Sequence, residues 1–414
     1  ALHPLHRRQR QMCIRDRDGC PDRDGDGTSD FNDPWVISNP NYQNEFTTSS
    51  SNDYYAVEYS PSGEFIVTGS EDGFVRIWNA STWTNLRSFN ANTEVTTVDY
   101  SGDGMYIAAG LNNDSLAILY SSNLSLVYDV TSVDVGGNDL VNSVEFSPDD
   151  SIVAVAIGRE NGNQGTNGEV AVYDVQTGTE LYTLNPNGED RFFDTAFSPD
   201  GQHIALAGNG DIYIVNTTSG STTWTFTNPP AAVNAVAWSP DGNFISMCGG
   251  WEGQSASFDM YQYGSGSWNR IWQTTISTSC ASTTFSTDGS QVVAGMYWYQ
   301  SDGATARVFE SYTGNQIDSF SGPRPGGCTS GGNNQCGTMY GVAWSPDSTH
   351  IVTAHGRNDQ GVYYWFADID EDNDGYNTTD QGDGVVDAFP SDGTQWDDTD
   401  LSLIHISEPT RPRL

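Results

Sequence analysis

Seven short stretches, VEYSPSG, VDYSGDG, VEFSPDD, TAFSPDG, VAWSPDG, TTFSTDG and VAWSPDS, place a serine at Ser60, Ser101, Ser147, Ser198, Ser239, Ser286 and Ser345. The spacings are 41, 46, 51, 41, 47 and 59 residues. A unit of that size cannot bury its own apolar face, so a chain that repeats in this way must stack one supersecondary unit against the next. The longer spacings read as insertions into loops.

Within a unit the apolar pattern is short and alternating. The first reads YAVEYS, a turn at PSG, EFIVTGS, a tight turn at EDG, FVRIWNA, and then NLRSFN. These are four strands bounded by Gly, Asp and Pro, with no helical periodicity between them. Four antiparallel strands repeated seven times predict an all-β chain, a seven-bladed β-propeller whose sheets bury both faces against their neighbours.

The SPDG turns, VRIWN ending at Trp78 and Asn79, and VYDVQTG from Val172 to Gly178 resemble the WD-repeat family over about residues 42–367. The Gly-His pair that the family places before the first strand of each blade is missing throughout, so apolar packing is expected to do more of the holding than in blades with the family's His and Asp network. The seventh unit supplies YGVAWS, HIVTAHG and GVYYWFA but no outer strand, whereas YQNEFTT, Tyr42 to Thr48, precedes the first unit. That segment is expected to complete blade seven and remove an exposed sheet edge.

Both flanks of the repeat are rich in aspartate. In DRDGDGTSDFND, the residues Asp22, Asp24, Asp26, Asp30 and Asp33 fall on positions one, three, five, nine and twelve, with Gly27 at six and the Thr28 carbonyl at seven. Those are the ligand positions of an EF-hand-type loop, so the implied cofactor is Ca2+. Without flanking amphipathic helices, the segment resembles a thrombospondin type-3 repeat across residues 18–41. The C-terminal flank, residues 368–400, repeats the theme with Asp370, Asp372, Asp374 and Tyr376 at positions one, three, five and seven, and Asp380 substituting near the end. Asp383, Asp387 and Asp392 offer part of a second site. A disordered acidic linker is the alternative there. Sites in extracellular modules bind at roughly 10⁻⁴ to 10⁻³ M, which extracellular calcium would fill.

The whole chain has 16 basic and 54 acidic residues, a formal charge of −38, and no lysine. Such a surface excludes nucleic acid and anionic lipid as partners. No apolar run is long enough to span a membrane, and no secretory signal is visible. Residues 1–17 and 401–414 look like translated sequencing adapters, because MCIRDR and LSLIHIS can be encoded by one short DNA read on opposite strands. They are set aside as non-native. The genuine protein is then expected to be part of a longer multidomain chain.

Cys328 and Cys336 bracket TSGGNNQ, which is too poor in histidine for a zinc site and reads as a loop-closing disulfide. That favours an oxidising, extracellular or cell-surface setting. The pairing of Cys20, Cys248 and Cys280 stays open. The sequons at Asn79, Asn113, Asn123, Asn216 and Asn377 agree with this setting only weakly.

Blades five to seven have long connections between second and third strands, which gather Trp251, Tyr297, Trp298, Tyr299 and Arg357 on one rim. Exposed aromatics beside an arginine suit recognition of protein or carbohydrate, and packing between blades is the alternative. Arg159 in blade three lies across the ring. Glu58, Asp99 and Glu145 hold one register of the innermost strands, where blades four to seven have Ala196, Ala237, Thr284 and Ala343. Such carboxylates could serve an extracellular glycoside hydrolase or a quinoprotein-like dehydrogenase that uses the channel. More often such residues are simply solvated in a wet channel. His203, His350 and His355 are scattered, and no nucleophile motif or phosphate loop is present. The expectation is a scaffold or recognition module, not an enzyme.

Overall fold

The computed structural model describes residues 42–46, 52–131, 140–158, 168–188, 191–208, 210–226, 233–250, 256–276, 279–296, 306–320, 338–356 and 361–366. They form seven four-stranded antiparallel sheets. Blade one is Tyr54–Tyr59, Phe65–Ser70, Phe74–Asn79 and Asn85–Asn90, from inner to outer strand. Each inner strand contacts the inner strand of the next blade, and that of blade seven, Thr338–Trp344, contacts that of blade one. The ring is therefore a closed β-propeller. Its last sheet is completed by Tyr42–Phe46, antiparallel to Gly361–Phe366, with Tyr42 opposite Trp365.

Burial follows position in the blade. Second strands such as Phe244–Gly249 and Ile152–Gly158 are buried along nearly their whole length, whereas the outer strand Asn85–Asn90 alternates between exposed and half-buried. A sheet packed on both faces needs continuous apolar sequence; an edge strand needs only one apolar face. The core is accordingly a set of clusters between blades. Val67, Val75 and Ile77 of blade one pack with Val95, Ile107 and Leu119 of blade two, and equivalent clusters fill later interfaces. Each such side chain contributes about 1.5–3 kcal/mol by burial.

The repeated serine has a specific use. In all seven turns between inner and second strands, its Oγ accepts the backbone N–H five residues on, at 2.9–3.1 Å. In six of them the hydroxyl donates to the aspartate two residues on, at 2.5–2.7 Å; Ser62 stands in for the aspartate in blade one. One hydroxyl thus satisfies a buried N–H and fixes a carboxylate. We call this end of the propeller the turn face. The opposite, loop face carries the second-to-third and blade-to-blade connections.

Candidate functional site

Inner strands from all seven blades line a central channel with a cavity of about 330 Å³. Every inner strand carries a β-bulge near the loop face, at Tyr55, Thr96, Asn142, Phe193, Asn234, Ala281 and Tyr340, where the register skips one residue. A bulge adds twist and re-aims one side chain. Three of these side chains bridge blades. Asn142 Nδ2 donates to Gly158 O (3.3 Å) in its own blade and Phe192 O (2.7 Å) in the next. Asn234 Nδ2 does the same to Gly250 O (3.1 Å) and Cys280 O (2.9 Å). Thr96 Oγ1 lies 3.1 Å from Gly110 O and 2.6 Å from Val141 O. Where blade seven meets blade one, the Tyr55 and Tyr340 rings meet edge to face at 5.0 Å.

Nearer the turn face the channel wall holds Glu58, Asp99 and Glu145, as their shared register implies, and also Asp194. Each keeps some surface on the channel while protein encloses it on every side. Three of the four reach forward to the next inner strand. Asp99 Oδ2 accepts Phe146 N–H at 2.7 Å, Glu145 Oε2 accepts Phe197 N–H at 2.9 Å, and Asp194 Oδ2 accepts Val236 N–H at 3.0 Å. Glu58 instead accepts the N–H of Tyr59 at 3.1 Å. The register shared by Glu58, Asp99 and Glu145 does not include Asp194. It lies two residues earlier on the same strand face, and a search of both registers finds it.

Desolvation dominates the protonation of this group. It pushes Glu58 up to about 8, with repulsion from Asp99 adding and the Tyr59 N–H opposing. It pushes Asp99 up to about 7 and Asp194 to about 6, in each case against the N–H donors that favour the anion. Glu145 is raised well above the usual carboxylate range, first by burial and then by Asp99, Asp194 and Glu58. Chemically, this is an arc of weakly acidic groups on four blades, three of which hold the next inner strand. Among the described residues no group of three or more His, Cys, Asp or Glu side chains is placed to hold a metal ion.

Beside the apolar clusters, two blades hold buried polar pairs. In blade one, Trp78 Nε1 donates to Thr68 Oγ1 at 2.9 Å, and Arg76 binds Asp72 at 2.9 and 2.6 Å and Ser70 Oγ at 2.8 Å. In blade seven, Trp365 Nε1 donates to Thr353 Oγ1 at 2.8 Å, and His355 Nε2 lies 2.7 Å from the same oxygen. Burial pushes His355 down to about 3, so the imidazole there is neutral. Polar anchors therefore persist, built from donors that lie within the strands. His203 and His350 each begin a second strand and are half-buried.

Cys248, in the second strand of blade five, is bonded to Cys280, in the inner strand of blade six, with Cα atoms 5.6 Å apart. Both are buried. The residues expected to bind calcium (Asp22, Asp24, Asp26, Thr28, Asp30, Asp33, Asp370, Asp372, Asp374, Tyr376, Asp380, Asp383, Asp387 and Asp392) lie outside the described residues. So do Trp251, Tyr297, Trp298, Tyr299, Arg357, Arg159 and the Cys328 and Cys336 pair. No helix among the described residues is long and apolar enough to cross a membrane.

Comparison with known proteins agrees with this architecture. The WD40 family (WD domain, G-beta repeat) matches residues 41–79, 83–121 and 220–254. The chain is 25% identical over 202 residues to actin-interacting protein 1 of Drosophila melanogaster, covering 47% of this chain and 31% of that protein. It is 39% identical over 88 residues to a periodic tryptophan protein 2 homolog of Dictyostelium discoideum, 20% of this chain and 10% of that one. Against a guanine nucleotide-binding protein subunit beta of Nicotiana tabacum it is 25% identical over 223 residues, 50% of this chain and 56% of that one. The chain thus spans less than two thirds of each of these relatives. Three of its stretches match the WD40 repeat, within a seven-bladed propeller.

Proposed function

We propose that this chain is an extracellular or cell-surface interaction scaffold, a WD40 propeller held between calcium-binding aspartate repeats. The observation that carries the reading is the use made of the channel. Its acids and amides stitch blade to blade, so the ring serves as a rigid platform with binding surfaces on its faces. The names of the relatives do not supply the extracellular setting. That rests on the buried Cys248–Cys280 bond, which fits an oxidising compartment.

Calcium is the ion that the flanking donor sets suit, since five carboxylates at alternating positions around a glycine are hard oxygen ligands for a hard cation. Tyr42 pairs with Trp365, so the first and last described strands lie side by side in one blade. Ordering of the flanks by an ion would then set how the propeller is held within a longer chain. Protein or carbohydrate at the rim of blades five to seven is the partner this reading assigns to the loop face.

Calcium titration of the full chain tests the flanks, with heat measured by calorimetry and backbone ordering by NMR. Heat and ordering confined to the flanks are expected, and chelation should leave the sheet signal of the propeller intact. A titration with neither heat nor ordering would remove the calcium-spacer part of the proposal. Equal loss of sheet signal on chelation would make the ion part of the propeller instead.

A further inference from the structure

The turn face of blades four and five departs from the sevenfold pattern. In blade five the third and outer strands, Ala256–Gly264 and Ser267–Ile276, have 9 and 10 residues, whereas those of blade four, Ile212–Asn216 and Thr222–Phe226, have 5 each. The long strands are joined by a two-residue turn, Ser265 and Gly266, both at positive φ (56° and 79°). That is the hairpin geometry that continues strand twist. In blades one, three and four the same connection is a longer turn, capped by the side chains of Asn79, Asp174 and Asn216. Blade five has therefore exchanged a capped turn for a protruding hairpin.

The hairpin packs rings against blade four, where Tyr261 and Trp268 meet Phe226 of the outer strand at 4.7 and 6.1 Å, and against Trp238 at the end of its own inner strand. Trp268 meets Trp238 edge to face at 5.6 Å, and Tyr263 meets Trp268 at 5.2 Å. His203 of blade four stacks on Trp238 with ring centroids 6.5 Å apart and planes 29° apart. Trp238 is held in place by its own Nε1, which donates to Gly242 O at 3.1 Å. Tyr263 is 50% exposed and, unlike a scattered surface side chain, belongs to a connected group of rings with Trp268 and Trp238. Two exposed aspartates stand in adjoining turns: Gly242, beside Asp241, faces Pro199, beside Asp200, and Asp241 accepts Asn243 Nδ2 at 2.7 Å, the carbonyl of Asn243 in turn accepting the Tyr263 N–H at 2.9 Å. Asp200 is held below the usual carboxylate range by the Ser198 hydroxyl first, with the His203 side chain adding to it. At Asp241 burial works against the charge, but the donors from Ser239 and Asn243 outweigh it. The nearby guanidinium of Arg270 is paired with Asp259 at 3.1 Å.

We propose that this ring platform is a docking site for an arginine-bearing segment of a partner protein, with a guanidinium laid on the Trp268 and Tyr263 rings and held laterally by Asp241 and Asp200. Electron-rich ring faces attract a cation, and the planar, weakly hydrated guanidinium stacks where an ammonium cannot. Flanking carboxylates supply charge and geometry that a neutral ligand would not use. The net charge of −38 draws basic partners towards the whole surface, and the rings select among them. This rests on the scaffold reading above but concerns the turn face, opposite the rim that reading assigns.

The test uses the full chain and a fluorescent Gly-Arg repeat peptide, with a Gly-Lys peptide of equal length as a charge match. Anisotropy should show tighter binding of the arginine peptide, and Tyr263→Ser and Trp268→Ser should each weaken it, together by roughly tenfold. A Tyr120→Ser variant in blade two should leave it unchanged. Trp268→Ser can disturb the hairpin, so the thermal midpoint of each variant is measured, and the exposed Tyr263 decides if Trp268→Ser unfolds. Equal binding of both peptides, or binding indifferent to Tyr263, would reduce the effect to general charge and overturn the platform. So would oligosaccharide binding or self-association that Tyr263→Ser abolishes. A protein partner whose footprint by hydrogen exchange falls only on the loop face would overturn the platform while leaving the scaffold reading in place.

Discussion

Asp150, in the turn that follows the inner strand of blade three, accepts the backbone N–H of Gly102 in the equivalent turn of blade two at 2.6 Å, and its other oxygen accepts the N–H of Asp103 at 2.8 Å. The pair is one link in a ring of contacts. The fourth turn residue of each blade faces the second turn residue of the preceding blade. At five junctions a fourth-position glycine faces a second-position proline of the preceding blade: a Cβ on Gly104 would lie 3.7 Å from Pro61 Cδ, and one on Gly63 would lie 3.6 Å from Pro346, across the ring closure. Proline has no N–H to satisfy. The two turns that lack proline have Gly102 and Thr287, each with an N–H, and the blades that follow them lack glycine. Asp150 and Ser348 stand there instead, at positive φ (57° and 60°), and Ser348 Oγ accepts Thr287 N–H at 2.9 Å. A side-chain acceptor occurs where the preceding turn offers a donor.

Exchanging one partner of this pair should therefore cost stability, and exchanging both should restore it. Asp150→Gly loses two hydrogen bonds at an exposed site, about 1 kcal/mol, partly offset by relief of the positive φ. Gly102→Pro removes the donor and leaves the carboxylate facing a pyrrolidine ring. The double variant recreates the proline and glycine contact of the other five junctions. Urea unfolding of the four proteins should give a coupling of roughly 0.5–2 kcal/mol; additive losses would show that the two turns do not communicate.

Much of this was legible without coordinates, because a propeller reuses one local solution. The serine spacing gives seven blades, and the run of Val, Ile and Ala in second strands such as Ile152–Gly158 marks burial on both faces. The turn pairing was also visible, since Gly102 and Thr287 precede Asp150 and Ser348 by one repeat. What could not be read were relations set by packing between blades. Glu58, Asp99 and Glu145 share a register, but their partners, the N–H groups of Tyr59, Phe146 and Phe197, are backbone atoms without a sequence signature. The pairing of Cys248 with Cys280 depends on which strands adjoin across the seam of blades five and six. The strands of blade five run past the turn face because the tyrosine and tryptophan alternation in SFDMYQYGSGSWNRIW continues through the position where the other blades turn.

The Cys248–Cys280 bond closes a loop with a sequence separation of 32 residues. Chain entropy alone assigns such a crosslink roughly 3–4 kcal/mol, with strain in the native state able to reduce it. Cys248→Ser with Cys280→Ser should lower the urea midpoint without changing the fold, and dithiothreitol should then have no further effect on the seam. Because both sulfurs are buried, the parent should resist reduction until it begins to unfold. An unchanged midpoint in the double variant would mean that the seam is held by packing alone.

The channel acids should make stability fall as pH rises, the reverse of the usual behaviour of carboxylates. Unfolded Asp and Glu lose their protons near pH 4, whereas in the fold Asp194, Asp99 and Glu58 keep theirs up to about 6, 7 and 8. Across that window the native state binds more protons than the unfolded chain, so each step up in pH favours unfolding until the last of them ionises. The turn aspartates act oppositely. Asp149 is held low by the Ser147 and Ser151 hydroxyls and the Ser151 N–H, and Asp200 by Ser198 and the Gln202 N–H. Their contribution is present above pH 4 and lost below it. The thermal midpoint should therefore peak in mildly acidic solution and decline towards pH 9. Asp99→Asn keeps an acceptor for Phe146 N–H while removing the charge that faces Glu58, Glu145 and Asp150. It should match the parent at pH 5 and exceed it at pH 9 by roughly 1–2 kcal/mol, less than the full shift implies because channel water screens the group. Calorimetry at fixed ionic strength measures both limbs. A parent whose midpoint rises from pH 5 to pH 9, or an Asp99→Asn variant with the parent's slope, would show that these carboxylates are ionised in the folded ring and that water in the channel, not burial, sets their charge.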